Sequence, residues 1–342
     1  MNEIGFIDWD AAVETAAKIG PAGPTLSTDE AAEAVASLRQ AAEQAIGHVR
    51  EVTGLTTPAP AQTLVVDRAS WVKACAASIA TMLGTPAAPD GQRQAFLGHV
   101  SGSQVGAVLA AVSTRILGQF DPFGEPARLL LVAPNVVTVE RSLKVVPADF
   151  RLWVCLHEQT HRFQFGQAPW LRDHLLDRIR QLIEEESRFA LRSPGGRKPD
   201  GASAPGSSGR AFLDRVLTPS ARVLFDELTA VMSLVEGYAD VMMDRVGAEV
   251  VPTLPAIRRA FEARRDRGGW TAILGRLLGN DLKLAQYREG AAFCRAVMEL
   301  SDVASLNAAW SAPDALPTLA EIRGSGEPAE PIGTAWLRRV HG

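Results

Sequence analysis

The segment His157-Glu158-Gln159-Thr160-His161 has the residue types and the spacing of a zinc-binding helix. In a helix, residues four positions apart lie on one face, so the imidazoles of His157 and His161 can bind the same ion. The carboxylate of Glu158 lies beside this pair, where it can accept a proton from a water molecule. The pattern therefore predicts a Zn²⁺ site with a glutamate as general base.

The residues around this motif predict a buried helix over 149–165. Pro147 and Asp149 are typical of a helix start, and Gly166 followed by Pro169 is typical of a helix end. Apolar side chains occur on all sides of this helix, as in helices of protein interiors. Polar groups in such a helix are costly unless a partner compensates them, and a metal ion would do so. The alternative is a pair of core histidines that are hydrogen-bonded to their neighbours.

A third protein ligand is expected, and two positions compete for this role. Glu236 follows an apolar helix and precedes apolar residues, so its carboxylate is expected to be buried. Asp240, one turn later, is placed to orient a ligand histidine by accepting a hydrogen bond. The rival is the acidic run Glu184-Glu185-Glu186, although such runs are typical of solvated helix faces. Burial and ligand geometry favour Glu236.

Hydrolysis of a carbonyl compound also needs a group that stabilises the developing oxyanion. The sequence contains two tyrosines, and Tyr287 is the candidate for this role. His174 is the second candidate. An ordinary packed aromatic residue and a surface histidine are the alternatives for the two positions.

Composition excludes several classes of protein. With 46% hydrophobic residues among 342, the chain can bury a sizeable core. A formal net charge of −4 argues against a nucleic-acid partner. No apolar stretch reaches the ~18 residues of a membrane span, so no membrane partner is expected. The first ten residues lack the pattern of a signal peptide, and three separated cysteines indicate no disulfide framework. These features predict a cytoplasmic protein.

The remaining segments predict a mainly α (α+β) protein with a small β-sheet. Helices are predicted over 28–52, 71–83, 102–120, 170–191, 222–246, 254–265, 270–278 and 281–300. The run 128–133 predicts a buried strand, with 135–139 as its extension or partner. Residues 193–210, rich in Pro, Gly and Ser, predict a flexible loop. The predicted domains are an N-terminal helical region over 1–120 and a metal-binding region over 121–342, which can form one continuous unit.

Six segments together resemble a family of zinc-dependent metalloproteases from actinobacteria, in its subgroup associated with biosynthesis of a deazaflavin coenzyme. These segments are 117–123, 129–135, 149–161, 168–172, 234–240 and 282–293. The resemblance extends from about residue 8 to residue 322. It implies a zincin-like fold with an H-E-x-x-H helix, a small sheet and additional N-terminal helices, and it implies a zinc hydrolase.

The residues that follow the H-E-x-x-H motif can be compared with two subclasses of the zincins, the metzincins and the gluzincins. Gln164 and Gln167 stand where the metzincin pattern has Gly and His, which excludes that class. The spacing of Glu236 and Asp240 is similar to that of the third-ligand helix in thermolysin-like gluzincins. Arg162 departs from the zincin pattern, which usually has an uncharged residue directly after the second histidine.

Two functional hypotheses follow. The first is a peptidase-like zinc metallohydrolase that acts on a peptide or a small amide, with the strand near 129–132 beside the site and able to pair with an extended substrate. The second is a zinc-binding module without catalytic activity that acts in structure or partner binding, with a link to coenzyme biosynthesis. Glu158 favours the enzyme, because a purely structural zinc site needs no such carboxylate.

Overall fold

The computed structural model describes residues 7–84, 92–192, 217–265, 282–324 and 330–342. Its helices are α1 (Trp9–Ile19), α2 (Thr28–Thr53), α3 (Arg68–Leu83), α4 (Gln92–Ser113), α5 (Ala133–Leu143), α6 (Pro147–Gln167), α7 (Leu171–Arg192), α8 (Pro219–Val250), α9 (Leu254–Arg265), α10 (Leu282–Leu300), α11 (Val303–Asn307), α12 (Leu319–Arg323) and α13 (Thr334–His341). Its strands are β1 (Gln62–Val66), β2 (Gly118–Asp121) and β3 (Arg128–Val132). The predicted mainly helical α+β class with a small sheet is confirmed.

Side-chain caps explain where several predicted helices begin. At α2, Ser27 Oγ accepts from the Glu30 amide at 3.2 Å, and the Glu30 carboxylate accepts from the Ser27 amide at 2.8 Å. At α3, Asp67 accepts from the Ser70 amide at 2.7 Å. Each contact satisfies a main-chain amide that has no partner inside its helix. The predicted helix 270–278 and the predicted loop 193–210 lie outside the described residues.

The three strands form one sheet in the order β1-β3-β2. β1 is parallel to β3, with Gln62 beside Arg128, and β2 is antiparallel to β3, with Gly118 beside Leu131. Residues Leu129–Val132 are at most 1% exposed, as their continuous apolar run predicts. Strand β3 is therefore the central strand, and both of its edges are already hydrogen-bonded.

Two local predictions near the sheet are wrong. Residues 118–120 belong to β2 and not to a helix, because the hydroxyls of Ser113 and Thr114 bond to carbonyls of the last turn of α4, where this helix ends. Residues 135–139 belong to α5 and not to a strand. Pro134 lies in the first turn of that helix, where its fixed φ favours helix formation.

The chain divides into two compact units. The first comprises Met1–Arg50, Ala59–Arg162 and Val246–Gly269, and it contains the sheet. Its core includes Trp71, Val72 and Leu130, which are at most 2% exposed. The second comprises Glu51–Pro58, Phe163–Arg245 and Trp270–Gly342. The domain boundary between residues 120 and 121 stays a prediction.

The core of the second unit includes aromatic contacts next to helix α8. Tyr238 is fully buried, stands edge-on to the Trp310 ring with centroids 5.4 Å apart, and donates a hydrogen bond to Asn307 Oδ1 at 2.7 Å. Burial strongly raises the pKa of the Tyr238 phenol, so this group stays neutral. In the described ranges, none of the helices has the length and hydropathy that a membrane span requires.

Candidate metal centre

Helix α6 places His157 and His161 on one face, one turn apart. Their Nε2 atoms are 3.0 Å apart, and their rings stand nearly perpendicular with an interplanar angle of 84°. His161 is buried, with 8% exposure. This distance fits a hydrogen bond between the two rings, and it also fits two rings that bind the same metal ion. A third donor group distinguishes the two possibilities.

The third donor group comes from helix α8. One ligand atom each of His157, His161 and Glu236 lies within 4.8 Å of the others. The side chain of Gln164, one turn after His161, donates to the main-chain carbonyl of Val235 at 3.0 Å. This buried hydrogen bond fixes the residue that precedes Glu236 against helix α6. Among the described residues, the cluster of possible metal ligands consists of these three side chains.

The donor set fits zinc. Two imidazole nitrogens and one carboxylate oxygen are the three protein ligands of many catalytic zinc sites, which leave a fourth position for water or substrate. Two nitrogens bound to one tetrahedral zinc lie about 3.3 Å apart, close to the 3.0 Å between the His157 and His161 nitrogens. The cluster can therefore bind a zinc ion with little movement of the two rings.

The Glu158 carboxylate lies against the edge of the sheet. It is 6% exposed, and its Oε2 accepts a hydrogen bond from the main-chain amide of Phe120 at 2.9 Å. Gly118 leaves the space that this side chain occupies, because a Cβ at that position would lie 2.6 Å from the Glu158 Cγ. The carboxylate is thus held beside strand β2, on the helix that carries the two histidines.

Asp240 lies one turn after Glu236 on α8. Its carboxylate is 3.6 Å from the Arg295 guanidinium, and its side chain is 32% exposed. Arg295 also lies 3.6 Å from Asp244. The predicted hydrogen bond from a ligand histidine to Asp240 stays a prediction.

Neither candidate for oxyanion stabilisation is tested by the geometry. The main chain of Tyr287 lies in α10, and its side chain is outside the described part of the structure. His174 stands edge-on to the Trp170 ring, with centroids 5.8 Å apart. Burial and then the nearby Arg178 lower the pKa of His174, so this imidazole is neutral at physiological pH.

The rival acidic run lies on α7, where two of its carboxylates pair with an arginine of the same helix. Arg188 pairs with Glu184 at 3.2 Å and with Glu185 at 2.9 Å. Glu186 accepts from the main-chain amide of Thr218 at 3.5 Å. Within the described residues, the potential metal cluster contains Glu236 and none of these three carboxylates.

The contacts that several residues make around the site were not predicted from the sequence. Arg162, noted as a departure from the zincin pattern, donates to the carbonyl of Ala59 at 2.7 Å, while the Ala59 amide donates to the Arg162 carbonyl at 2.9 Å. Gly118, Phe120 and Gln164 contact residues far away in sequence. Gly118 itself was the one available signal, and a glycine does not identify the neighbour that requires it.

Comparisons with known proteins agree with this chemistry. The model of a family described as zincin-like metallopeptidase matches residues 7–327. Among solved structures, the chain is similar to a crystal structure described as that of a "putative hydrolase with a novel fold" from Chloroflexus aurantiacus, with a TM-score of 0.70 and 28% identity. The similarity covers 98% of this chain and 99% of that chain. No curated protein matches the sequence.

Proposed function

Because the chain belongs to the zincin-like metallopeptidase family, we propose that it is a zinc-dependent, peptidase-like hydrolase of the gluzincin type. His157, His161 and Glu236 are the proposed metal ligands. The observation that carries the proposal is the convergence of their ligand atoms to within 4.8 Å of one another. Two imidazoles and a carboxylate are the donors that a catalytic zinc site uses.

When bound, zinc supplies Lewis-acid chemistry, which polarises a carbonyl group and lowers the pKa of a water molecule. Glu158 is the proposed general base. Its carboxylate accepts the proton of the attacking water and later gives that proton to the leaving amine. The hydrogen bond from Phe120 holds the Glu158 carboxylate in one orientation. Tyr287 is the proposed oxyanion group, and Asp240 the proposed orienting carboxylate.

The substrate is proposed to be a peptide or a small amide that binds along strand β2. Pairing with β3, the alternative from the sequence, is excluded, because β3 is the central strand of the sheet. β2 is an edge strand, and its outer edge faces Glu158. Because the Phe120 amide of this edge already donates to Glu158, the proposed substrate lies beside β2 and next to the general base without pairing at Phe120.

Metal analysis combined with a peptide-library cleavage assay tests the proposal. We expect about one Zn²⁺ per chain, which His157→Ala or His161→Ala should remove. Glu236→Gln should also lose zinc, whereas Glu184→Gln on the rival run should keep it. Glu158→Gln should keep zinc and lose cleavage, because an amide cannot accept the proton.

The outcomes separate the two functional hypotheses. A protein that is purified without chelator and holds no divalent metal would contradict the proposal. A wild-type protein that binds zinc and cleaves no peptide would support the non-catalytic zinc-binding module. The cytoplasmic location, the actinobacterial subgroup and the link to deazaflavin biosynthesis remain predictions.

A further inference from the structure

Strand β2 turns alternate main-chain groups towards Glu158. In an antiparallel pair, every second residue bonds to the partner strand and the residues between them face the other edge. The Val132 amide donates to the Leu117 carbonyl at 2.9 Å, which defines the inward-facing residues of β2. Gly118 and Phe120 therefore face the outer edge, and the Phe120 amide donates to Glu158 there.

The hydrogen bond from Phe120 orients the Glu158 carboxylate. Its length is 2.9 Å and it is buried. A hydrogen bond to an ionised acceptor is about twice as strong as one between neutral groups. A main-chain amide in a strand cannot rotate, so it fixes the direction from which the carboxylate is held.

Gly118 provides the space for this arrangement. A Cβ at position 118 would lie 2.6 Å from Cγ, 2.8 Å from Cδ and 2.8 Å from Oε1 of Glu158. The main chain itself does not require glycine, since Gly118 is not among the glycines with positive φ. The contact involves the stem of a side chain that is only 6% exposed, so Glu158 has little room to move away.

We propose that Gly118 and the main-chain amide of Phe120 position the Glu158 carboxylate for its role as general base: the glycine leaves room for the side chain, and the amide holds its carboxylate. This inference rests on the proposed function. It makes Gly118 a positioning residue that acts only through Glu158. Any larger residue at 118 should displace the carboxylate while leaving the histidines of α6 in place.

A double-mutant cycle tests the proposal. Gly118→Ala should keep bound zinc and lower kcat for an internally quenched peptide library by between about 100-fold and 10,000-fold, the range for loss of a general base. In the Glu158→Ala background, which lacks the colliding stem, Gly118→Ala should cause no further loss. A merely structural role would lower kcat in both backgrounds, and that result would overturn the proposal.

Two readouts do not depend on activity. The urea midpoint should fall on Gly118→Ala in the wild-type background and stay unchanged in the Glu158→Ala background. Hydrogen exchange in the peptide that contains Phe120 should accelerate in Glu158→Ala, because the amide loses its acceptor. Equal protection in the wild type and in Glu158→Ala would refute the positioning contact, whatever the enzyme cleaves. If the wild type cleaves no peptide, the proposed function fails and these two readouts still decide the inference.

The control variant is Gly124→Ala, in the turn after β2. Its Cβ would lie 2.7 Å from the Arg128 guanidinium, so it crowds the same hairpin without reaching Glu158. We expect this variant to keep its kcat and its exchange at Phe120. A loss of activity equal to that of Gly118→Ala would show that crowding of the hairpin, and not displacement of Glu158, is responsible.

Discussion

Helix α8 carries the proposed third ligand, and its position depends on a close crossing with α10. A Cβ at Gly290 of α10 would lie 2.6 Å from the carbonyl carbon of Ser233 and closer still to its oxygen. Gly237 faces the same crossing from α8, where a Cβ would lie 2.7 Å from the Gly290 carbonyl oxygen. Glu236 is the residue next to Gly237. We therefore expect Gly290→Ala to weaken zinc binding.

The size of the effect follows from the contact distances at Gly290. Main-chain atoms cannot rotate away, so the two helices must separate. Carbon atoms in contact prefer about 3.5–4.0 Å, so the contact with the carbonyl carbon alone requires a displacement of about 1 Å, and the closer oxygen requires more. Metal–ligand distances tolerate only about 0.2 Å. We expect the Kd for zinc to rise by more than about 100-fold, since losing a ligand costs more than losing a group that orients one.

Competition with a chromophoric chelator measures the affinity, and urea unfolding followed by circular dichroism measures stability. Overpacking at Gly290 should lower the free energy of unfolding by about 1–3 kcal/mol. Gly102→Ala is the matched control, because a Cβ there would lie 2.9 Å from the Asp8 carbonyl carbon, on helices without a proposed ligand. It should lose stability and keep zinc. A destabilised Gly290→Ala variant with wild-type zinc affinity would refute the reasoning, as would equal zinc loss in both variants.

Three further predictions concern stability. Asp121→Ala should lower the free energy of unfolding in urea by about 3–5 kcal/mol, because the largely buried Arg128 loses its partner at 2.8 Å. A decrease of less than about 1 kcal/mol would contradict a buried ion pair. Asn135→Ala should lower the free energy of unfolding by about 1–3 kcal/mol, since the side-chain amide donates to two buried carbonyls at 2.6 Å. An unchanged urea midpoint would contradict this prediction. The hydrogen bond from the Ala11 amide lowers the pKa of Asp8 in the folded protein. The stabilisation from this ionised carboxylate should therefore be present above the ordinary aspartate pKa of about 4, and it should be lost as the pH falls through the lower pKa of the folded state. Asp8→Asn should flatten this pH dependence of the urea midpoint, and an unchanged dependence would contradict it.

The parts of the site that could be predicted from the sequence are local. His157, Glu158 and His161 lie on one helix, and their relative positions follow from the helical repeat alone. The bounds of that helix were also accessible, because Pro147 and Gly166 are positional signals of helix ends. Glu236 could be predicted for a different reason. A carboxylate among apolar residues needs a partner, and the sequence offered a metal as the simplest one.

The sheet was harder to predict from the sequence, because β1 pairs with residues of β3 that are far away along the chain. None of the residues of β1 is buried, and its apolar run 64–66 is shorter than the about 4–8 residues that indicate a buried strand. The strand signal at Leu129–Val132 correctly indicated burial, but the same burial means that the strand is central and cannot accept a substrate. The edge strand β2 begins with a glycine and is separated from the end of α4 by four residues. Its few residues carried no strand pattern, although this edge is the one that contacts Glu158.

The H-E-x-x-H motif determines which groups can do the chemistry, whereas glycines determine how closely other elements approach those groups. Gly237 and Gly290 lie inside helices, where glycine costs about 1 kcal/mol relative to alanine. The sequence shows this cost but not the close helix contact that offsets it, because each glycine is required by main-chain atoms far away along the chain. At Gly118 the requirement comes instead from the side chain of Glu158 itself. Substitutions at these glycines should therefore separate two properties that the motif combines: loss of zinc at the α8–α10 crossing, and loss of base catalysis with zinc retained at β2.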